Sequence, residues 1–591
     1  MNTLGLTLAV GGGMLAVSPL LADSHGEIKL LCLALGALAL WVDILCRRQA
    51  VGGTPLGGVI GFFWLSMFAS TLVSVEPHYS IYGIYLAQFY GLMPLAVVTL
   101  LYYASAYASF KRDDLVDTII LVSIPLSLYA WVQSAGFDAP WPIHNGRSTS
   151  TSGSPVYLGA YLIIILPLIL YRWGTLQAYV AGVAGAGALF LTFSRGAWIS
   201  AAISAAGYFI AARHVTLTRR RVVGAILLGA LIAMVGIRHN SHWEGDSLRV
   251  EMWKIAVEAF KHHPVLGTGP ETFALDFRKY RTDGAVAVIG TTRIQGSAHN
   301  DLFQIAATQG TIGVIVYLLL SGGMFALTIN LCWRGGREDR PFNACVFSAL
   351  TGLWVQAKFN PVPITAMAVL ALLVGAAMRW YDKGGREEGY ASGRGGVLLA
   401  LCCSGFLIRD VYADFVFKRA TNYLAAGNAV SAGEDFQRAL RLLPTRTQYH
   451  RQYSMFLGDA YEVADAASRK KILQHAVQLG WDSATRCPGE PLAWEMFGVA
   501  LMANGQNNQA KDVFHIAQML DPKFLPTLKI SMDLAQRMGD ENTFIGVGNE
   551  YVRLSAIERT LMAGGTSPAR HTASGARQPG GRRLSPAKKR G

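Results

Sequence analysis

Blocks of about twenty apolar residues recur through the first 410 positions of this chain, and they constrain its fold more than any other feature. At about 1.5 Å per residue, a helix of that length crosses the roughly 30 Å hydrocarbon core of a bilayer. The composition agrees, since 52% of the 591 residues are hydrophobic and only 15% are charged. We therefore predict an all-α fold, a polytopic transmembrane helix bundle of about 12 to 13 spans.

Each predicted span is a run with few or no charges, bounded by polar residues. The spans lie near residues 4–22, 27–46, 56–75, 81–103, 116–134, 154–171, 175–193, 196–212, 222–237, 302–332, 341–357, 361–380 and 395–410. The first could be mistaken for a secretory signal. It lacks a basic n-region, and Leu20-Leu21-Ala22 is a poor cleavage site, so we interpret it as a span.

Basic residues are distributed unequally between alternate loops. If the N-terminus is cytoplasmic, the short outer loops contain only Arg147, Arg195 and Lys358, and the short inner loops hold many more lysines and arginines. The positive-inside rule predicts this asymmetry, so the net charge of +14 indicates membrane topology rather than nucleic-acid binding. We predict a bacterial inner-membrane protein whose loop 238–300 and C-terminal region face the periplasm.

The chain changes character after the last span. Residues 413–444 and 491–522 fit one frame, in which Ala, Phe, Ala and Pro occupy positions 20, 24, 27 and 32 of a 34-residue unit. These residues are Ala432, Phe436, Ala439 and Pro444 in the first segment, and Ala510, Phe514, Ala517 and Pro522 in the second. This pattern resembles tetratricopeptide repeats, although generic helical hairpins would give the same helical architecture.

The predicted organisation therefore has three parts. A transmembrane domain at 1–410 includes the loop 238–300, a periplasmic helical-repeat domain follows at 411–562, and a disordered basic tail occupies 563–591. Stacked helix pairs usually present a concave surface for a peptide, a glycan or a protein. We expect the repeat domain to select or deliver an acceptor rather than to perform chemistry.

Arg195 lies between two apolar helices at the predicted outer interface, in the run Ser194-Arg195-Gly196-Ala197-Trp198. A guanidinium there costs on the order of a few kcal/mol unless it is solvated, paired or snorkelled. Its planar fork suits a phosphate or carboxylate, and a diphosphate is the natural anion for an enzyme that handles lipid carriers. A topology anchor is the alternative interpretation.

The loop 238–300 ends in Ser297-Ala298-His299-Asn300-Asp301 and runs into the next apolar helix. Because the loop also carries Arg249, Arg278, Arg281 and Arg293, His299 could be a base beside an anion site. Alternatively, Asn300 or Ser297 caps the helix and His299 only snorkels at the interface. No CxxC or HExxH pattern predicts a metal site, and we expect no metal and no cofactor.

Four segments, in this order, resemble the O-antigen ligase and polymerase superfamily. They are Ser194 to Trp198, Arg249 with Trp253, Pro264 to Gly269, and Ala298-His299-Asn300 followed by Gln309-Gly310 and Gly313. The stretch from Gly153 to Leu162 is similar to the family's mid-membrane signature, and the resemblance covers roughly residues 50–380. It implies transfer of a glycan from an undecaprenyl-diphosphate carrier to an acceptor on the outer face, without a metal or a nucleotide sugar.

The resemblance also implies roles for particular residues. His299 would be the general base that takes the proton of the acceptor hydroxyl, and Arg195 and Arg249 would bind the donor diphosphate. Weaker candidates for substrate contacts are Arg293, Arg278, Arg147 and Asn300. The implied partners are the lipid-linked glycan, the membrane and an acceptor, and no nucleic acid.

Several functions remain open at this point. A ligase would use a sugar of the lipid A core, a polymerase would use another carrier-linked unit, and a protein O-oligosaccharyltransferase would use a serine or threonine of a pilin. A transporter of polysaccharide, in which the basic loop merely attracts an anionic substrate, belongs to a different class. A membrane-anchored scaffold is a third, although thirteen or so spans exceed what anchoring needs.

Overall fold

The computed structural model describes residues 2–85, 90–137, 146–212, 244–381 and 393–563. Within these ranges the chain is helical and contains no β-strand, which confirms the all-α prediction. The bundle helices are α1 (Asn2–Leu6), α2 (Gly13–Leu15), α3 (Gly26–Cys46), α4 (Gly57–Leu72), α5 (Pro77–Tyr82), α6 (Leu92–Tyr107), α7 (Arg112–Ser134), α8 (Pro155–Tyr171), α9 (Leu176–Leu191) and α10 (Arg195–Ala212). Next come α11 (Glu244–His262), α12 (Phe273–Lys279), α13 (Asp283–Ile289), α14 (Asp301–Arg334), α15 (Arg340–Ala357) and α16 (Ile364–Tyr381).

Four of the described helices, α3, α7, α14 and α17 (Arg394–Ala425), are long and apolar enough to cross a membrane. Five shorter apolar helices of the bundle, α4, α6, α8, α9 and α16, accompany them. On α14, Ile312, Ile315, Leu318 and Leu319 remain exposed, as expected of a face covered by lipid. The chain is therefore a multi-pass membrane protein with a polytopic helix bundle.

Two predicted spans differ from the helices observed. The span 4–22 is helical only as far as Leu15, with a π-helical turn at Thr7–Gly12 between α1 and α2. The span 81–103 is divided between α5 and α6, because the chain leaves helical geometry at Gly83, where φ is +87°. The predicted span 222–237 and all of the predicted tail except Ala563 lie outside the described residues.

A kink in α14 shapes the end of the bundle that carries His299, called the site end below. The backbone at Gly310 has φ +66°, and a Cβ there would lie 2.4 Å from the carbonyl carbon of Val265. The kink frees two N–H groups, so Thr311 donates to the Pro264 carbonyl at 2.8 Å and Ile312 to that of Val265 at 3.3 Å. Gly310 therefore lets the loop after α11 pack directly on α14.

The repeat region follows the bundle without a break, because α17 extends from the apolar segment into it as one helix of 32 residues. The predicted boundary at residue 410 falls inside this helix. The later helices are α18 (Ala429–Leu442), α19 (Thr447–Val463), α20 (Ala466–Arg486), α21 (Pro491–Ala503), α22 (Asn507–Leu520), α23 (Leu525–Met538) and α24 (Glu541–Ala563).

The alanines and the phenylalanine shared by the two repeat units are interior residues. Ala432, Phe436 and Ala439 are fully buried between α17, α18 and α19, and Ala510, Phe514 and Ala517 are buried in the same way in the second unit. A Cβ on Gly498 would lie 2.7 Å from the Phe514 ring, so the small residue lets α21 and α22 approach closely. The repeated pattern therefore reports helix-to-helix packing.

Candidate active site

His299 lies in a short polar segment immediately before α14, held in a left-handed backbone conformation with φ +53°. Its N–H donates to Ser297 Oγ at 3.0 Å, and the Ala298 N–H donates to Gln304 Oε1 at 2.8 Å. Asn300 caps α14, because its Oδ1 accepts from the N–H of Leu302 at 3.0 Å. A strained non-glycine residue at a helix entrance indicates that its surroundings hold the side chain in place.

Helix α11 brings Arg249 to the histidine. Trp253 Nε1 donates to the Ala298 carbonyl at 3.1 Å, and its indole stacks on the Phe303 ring with centroids 5.2 Å apart. Arg249 lies one helical turn before Trp253 and therefore on the same face. The spacing of four residues noted in the sequence thus anchors α11 beside the entrance of α14.

Burial is the main cause that lowers the pKa of His299 to about 4, and the positive charge of Arg249 contributes. Hydrogen bonding with the Asn360 amide acts in the opposite direction and raises this pKa. Near neutral pH the imidazole is therefore uncharged and able to accept a proton. An uncharged histidine beside a fixed guanidinium is suited to general-base chemistry next to a bound anion.

Asn360 is the central polar residue of the site, and sequence analysis missed it. It is only 3% exposed, and its Oδ1 accepts from Arg249 Nη2 at 3.5 Å. A Cβ on Gly196, the residue after Arg195, would lie 2.8 Å from Asn360 Nδ2. Asn360 thus contacts the elements that carry Arg195, Arg249 and His299. A lone asparagine before a proline in a short loop gives no pattern that could have revealed this.

Arg147 joins the same end of the bundle. Its Nε donates to the Thr192 carbonyl at 2.8 Å, three residues before Arg195. Burial and then the charge of Arg249 lower the pKa of Arg147, so the two guanidiniums lie close enough to repel. Arg195 is exposed at the first position of α10, where the helix dipole disfavours a cation and favours an anion beside it. Such an assembly of positive charge is suited to binding an anion.

Two other predicted contacts have different surroundings. Arg278 is buried and pairs with Glu490 of the repeat region at 2.8 Å, so its guanidinium is directed there rather than to His299. Arg293 is half-buried after α13 and forms no ion pair with any residue in the described ranges. A substrate contact by either residue stays a prediction.

A cavity of about 350 Å³ opens beside this polar segment and continues between the membrane helices. Asn300, Gln304 and Asn360 line it at the site end. Further along it is apolar, with side chains from α4, α6, α14, α15 and α16, and it follows α14 as far as Met324. From the kink at Gly310 to Met324 the helix is about 20 Å long, which is much of the roughly 30 Å hydrocarbon core of a bilayer.

Two acids also line the cavity. Asp301 is neutralised by Lys358, whose Nζ lies 2.7 Å from both carboxylate oxygens. Glu271 is buried with φ +64°, and burial raises its pKa to about 7, although backbone N–H groups of Tyr90 and Ile84 hydrogen-bond to it. Sequence analysis singled out neither carboxylate. In the part of the chain that the structure describes, no three His, Cys, Asp or Glu residues form a group able to hold a metal ion.

The fold and the site define a class of protein, a polytopic helical membrane protein whose cationic site is connected to an apolar cavity through Asn360. Residues 180–318 match the family model described as O-antigen ligase. This range contains Arg195, Arg249, Arg278, Arg293 and His299, and it excludes Arg147 and Asn360. The match supports the O-antigen ligase superfamily that the sequence motifs predict. It therefore also supports a membrane glycosyltransferase family.

Other comparisons add little. No curated protein matches the chain. Among solved structures, MamA 41-end from Desulfovibrio magneticus RS-1 is 14% identical to this chain. The match covers 28% of this chain and 87% of the MamA chain, with a TM-score of 0.21. The MamA RS-1 ArsTM double mutant is 16% identical. That match covers 29% of this chain and 89% of the mutant chain, with a TM-score of 0.22.

Proposed function

We propose that this protein transfers a glycan from an undecaprenyl-diphosphate carrier to an acceptor hydroxyl at the periplasmic face of a bacterial inner membrane. One observation carries the proposal, namely that Asn360, which interacts with Arg249 and His299, also lines the polar end of a long apolar cavity. Arg147 and Arg195 lie at the same end of the bundle, beside the mouth of this cavity. A lipid-linked diphosphate has the complementary chemistry, an anionic head on a long apolar chain. The guanidiniums suit the anionic head and the cavity suits the apolar chain, which favours this donor over a soluble sugar phosphate.

The chemistry follows from the groups at the mouth. His299 accepts the proton of the acceptor hydroxyl while the hydroxyl oxygen forms a bond to the anomeric carbon of the donor sugar. The bond from that carbon to the diphosphate oxygen breaks, and both electrons leave with the diphosphate. Arg249 and Arg195 stabilise the growing negative charge, because fixed guanidiniums in a partly dry site need no reorganisation.

Asn360 assists both halves of this reaction. As an acceptor for Arg249 Nη2 it orients the guanidinium, and its interaction with His299 stabilises the imidazolium that forms during transfer. Attack opposite the departing diphosphate would invert the anomeric centre, as the family resemblance implies.

The proposal is tested with purified protein in lipid nanodiscs and an undecaprenyl-diphosphate-linked oligosaccharide. Mass spectrometry should detect the glycan on one of three acceptors, a lipid A core, a second carrier-linked unit or a serine- or threonine-containing peptide. The acceptor that becomes modified distinguishes a ligase, a polymerase and a protein glycosyltransferase. Movement of intact lipid-linked glycan across the membrane, with no new glycosidic bond, would instead indicate a transporter.

A further inference from the structure

Two buried pairs connect the repeat region to the loop that contains the site. Arg278 of α12 pairs with Glu490 at 2.8 Å, and the side chains are only 7% and 6% exposed. Arg281, also buried, lies 3.6 Å from Asp521. Breaking a buried pair leaves an uncompensated charge inside the protein, so each partner depends strongly on the other. Such pairs fix two elements more firmly than exposed ones do.

Glu490 holds a second element of the bundle as well. Its Oε2 accepts from the hydroxyl of Tyr79 in α5 at 2.8 Å. The preceding Gly489 donates its N–H to Glu76 Oε2 at 3.2 Å, and a Cβ at Gly489 would lie 2.6 Å from the Val75 carbonyl oxygen. The turn Cys487 to Glu490, which connects α20 and α21, therefore inserts between α5 and α12. We call it the docking turn.

A continuous series of hydrogen bonds leads from the docking turn to α14. Val75 donates its N–H to the Thr268 carbonyl at 2.9 Å, and Thr268 donates its own N–H to the Ala307 carbonyl at 3.2 Å. Thr268 Oγ1 also bonds Asp276 Oδ2 of α12 at 2.8 Å. Ala307 lies two helical turns beyond His299, so the turn and the histidine are connected through rigid elements.

The far end of the same loop is attached independently. Glu558 of α24 accepts from the N–H of Thr291 at 2.5 Å and from its hydroxyl at 2.7 Å. Asp283 at the start of α13 pairs with Lys523 and Arg553, both at 2.6 Å. Both ends of the segment 278–291 are thus attached to the repeat region, and the segment ends eight residues before His299.

We propose that the docking turn positions the loop that carries the catalytic groups, with Glu490 and Arg278 as positioning residues. The repeat region is then part of the site's framework, in addition to any role in choosing the acceptor. This inference rests on the proposed function for its catalytic consequence. It also makes a structural claim, that the loop depends on Glu490, which can be tested without turnover.

The structural test is amide hydrogen exchange of full-length protein in nanodiscs. Glu490→Gln should increase exchange in residues 268–300, because the neutral amide leaves the buried Arg278 charge unpaired. The matched control is Arg419→Ala, which removes the pair of Arg419 with Asp435 at 2.6 Å inside the repeat region. The control should change exchange near α17 and α18 only. Unchanged exchange in 268–300 for Glu490→Gln would overturn the inference.

The catalytic test compares donor and acceptor kinetics in the same proteins. Glu490→Gln should lower kcat and weaken binding of undecaprenyl diphosphate by about tenfold or more, whereas loss of acceptor recruitment would raise only the acceptor KM. The exchanged pair Arg278→Glu with Glu490→Arg should recover a substantial part of the loss. If the double variant folds but recovers none of the lost activity, the docking turn does not position the loop. The same conclusion would follow if Glu490→Gln changed only the acceptor KM. An inactive wild-type protein with normal loop protection would reject the proposed function instead.

Discussion

Two groups of arginines in this protein have similar sequence surroundings and different partners. Arg147, Arg195 and Arg249 lie near Asn360 and His299, and Asn360 lines the cavity. Arg278 and Arg281, from the same loop as Arg249, pair with acids of the repeat region. The difference teaches that the tertiary structure, and not the local sequence, decides which arginines of this loop pair with an acid of the repeat region.

The largest effect is expected at His299, which lies in the first of these groups. His299→Ala should lower transfer by at least about a hundredfold with little change in folding, because the acceptor loses its base. His262→Ala is the control, since His262 is exposed at the end of α11, where it lies 3.5 Å from Glu258 and stacks on the Tyr280 ring. Near-normal transfer by His299→Ala would end the catalytic assignment.

Lysine substitutions separate the two groups of arginines directly. Arg249→Lys and Arg195→Lys should each reduce kcat/KM by roughly tenfold to a hundredfold, because a point charge loses the forked geometry that suits a diphosphate. Arg278→Lys should have a much smaller effect, since an ammonium can still pair with Glu490. Equal losses at Arg249 and Arg278 would remove the distinction between the groups.

The pH dependence should distinguish neighbours of His299 by sign. A base with a pKa of about 4 is lost only when pH falls through that value, so kcat/KM should stay level from pH 7 to about 5. Arg249→Gln removes a charge that lowers this pKa, so the acid limb should move to higher pH. Asn360→Ala removes an interaction that raises the pKa of His299, so the acid limb should move to lower pH.

The control is Asn343→Ala, at the opposite end of α15, where the Asn343 amide donates to the Leu331 carbonyl. Shifts in the same direction would argue against the proposed contacts.

The smallest effect is expected from removal of metal ions. If the arginines at the mouth stabilise the departing diphosphate by themselves, transfer by purified protein should continue in excess chelator. Residual activity is measured before and after chelation, with magnesium and manganese restored separately. Activity that disappears and returns with either ion would refute stabilisation by arginine alone.

Local patterns in the sequence predicted most of the fold. Apolar runs identified the membrane helices because a bilayer rewards length and hydrophobicity, properties that neighbouring residues share. The spacing of Ala, Phe and Ala predicted the buried positions of α18 and α22 for a similar reason. The division of the span 81–103 was missed, since Gly83 leaves helical geometry inside an otherwise apolar run.

The site was predictable only in part. Motifs indicated Arg195, Arg249 and His299, and Trp253 explains the position of Arg249 through contacts that span 45 residues. Asn360 and the partners of Arg278 were not predictable, because those contacts join residues separated by 111 and 212 positions and leave no local pattern. Knowledge of which acids lie opposite the loop requires the tertiary structure.

The continuity of α17 has a mechanical consequence. Since one helix connects the bundle to the repeat region, the second cannot swing freely about the first as it would on a flexible linker. A single residue inserted near position 410 would rotate everything beyond it by about 100° and advance it by about 1.5 Å. Helical phase, as well as length, therefore constrains this segment, and small insertions there would move the docking turn out of alignment with α5 and α12.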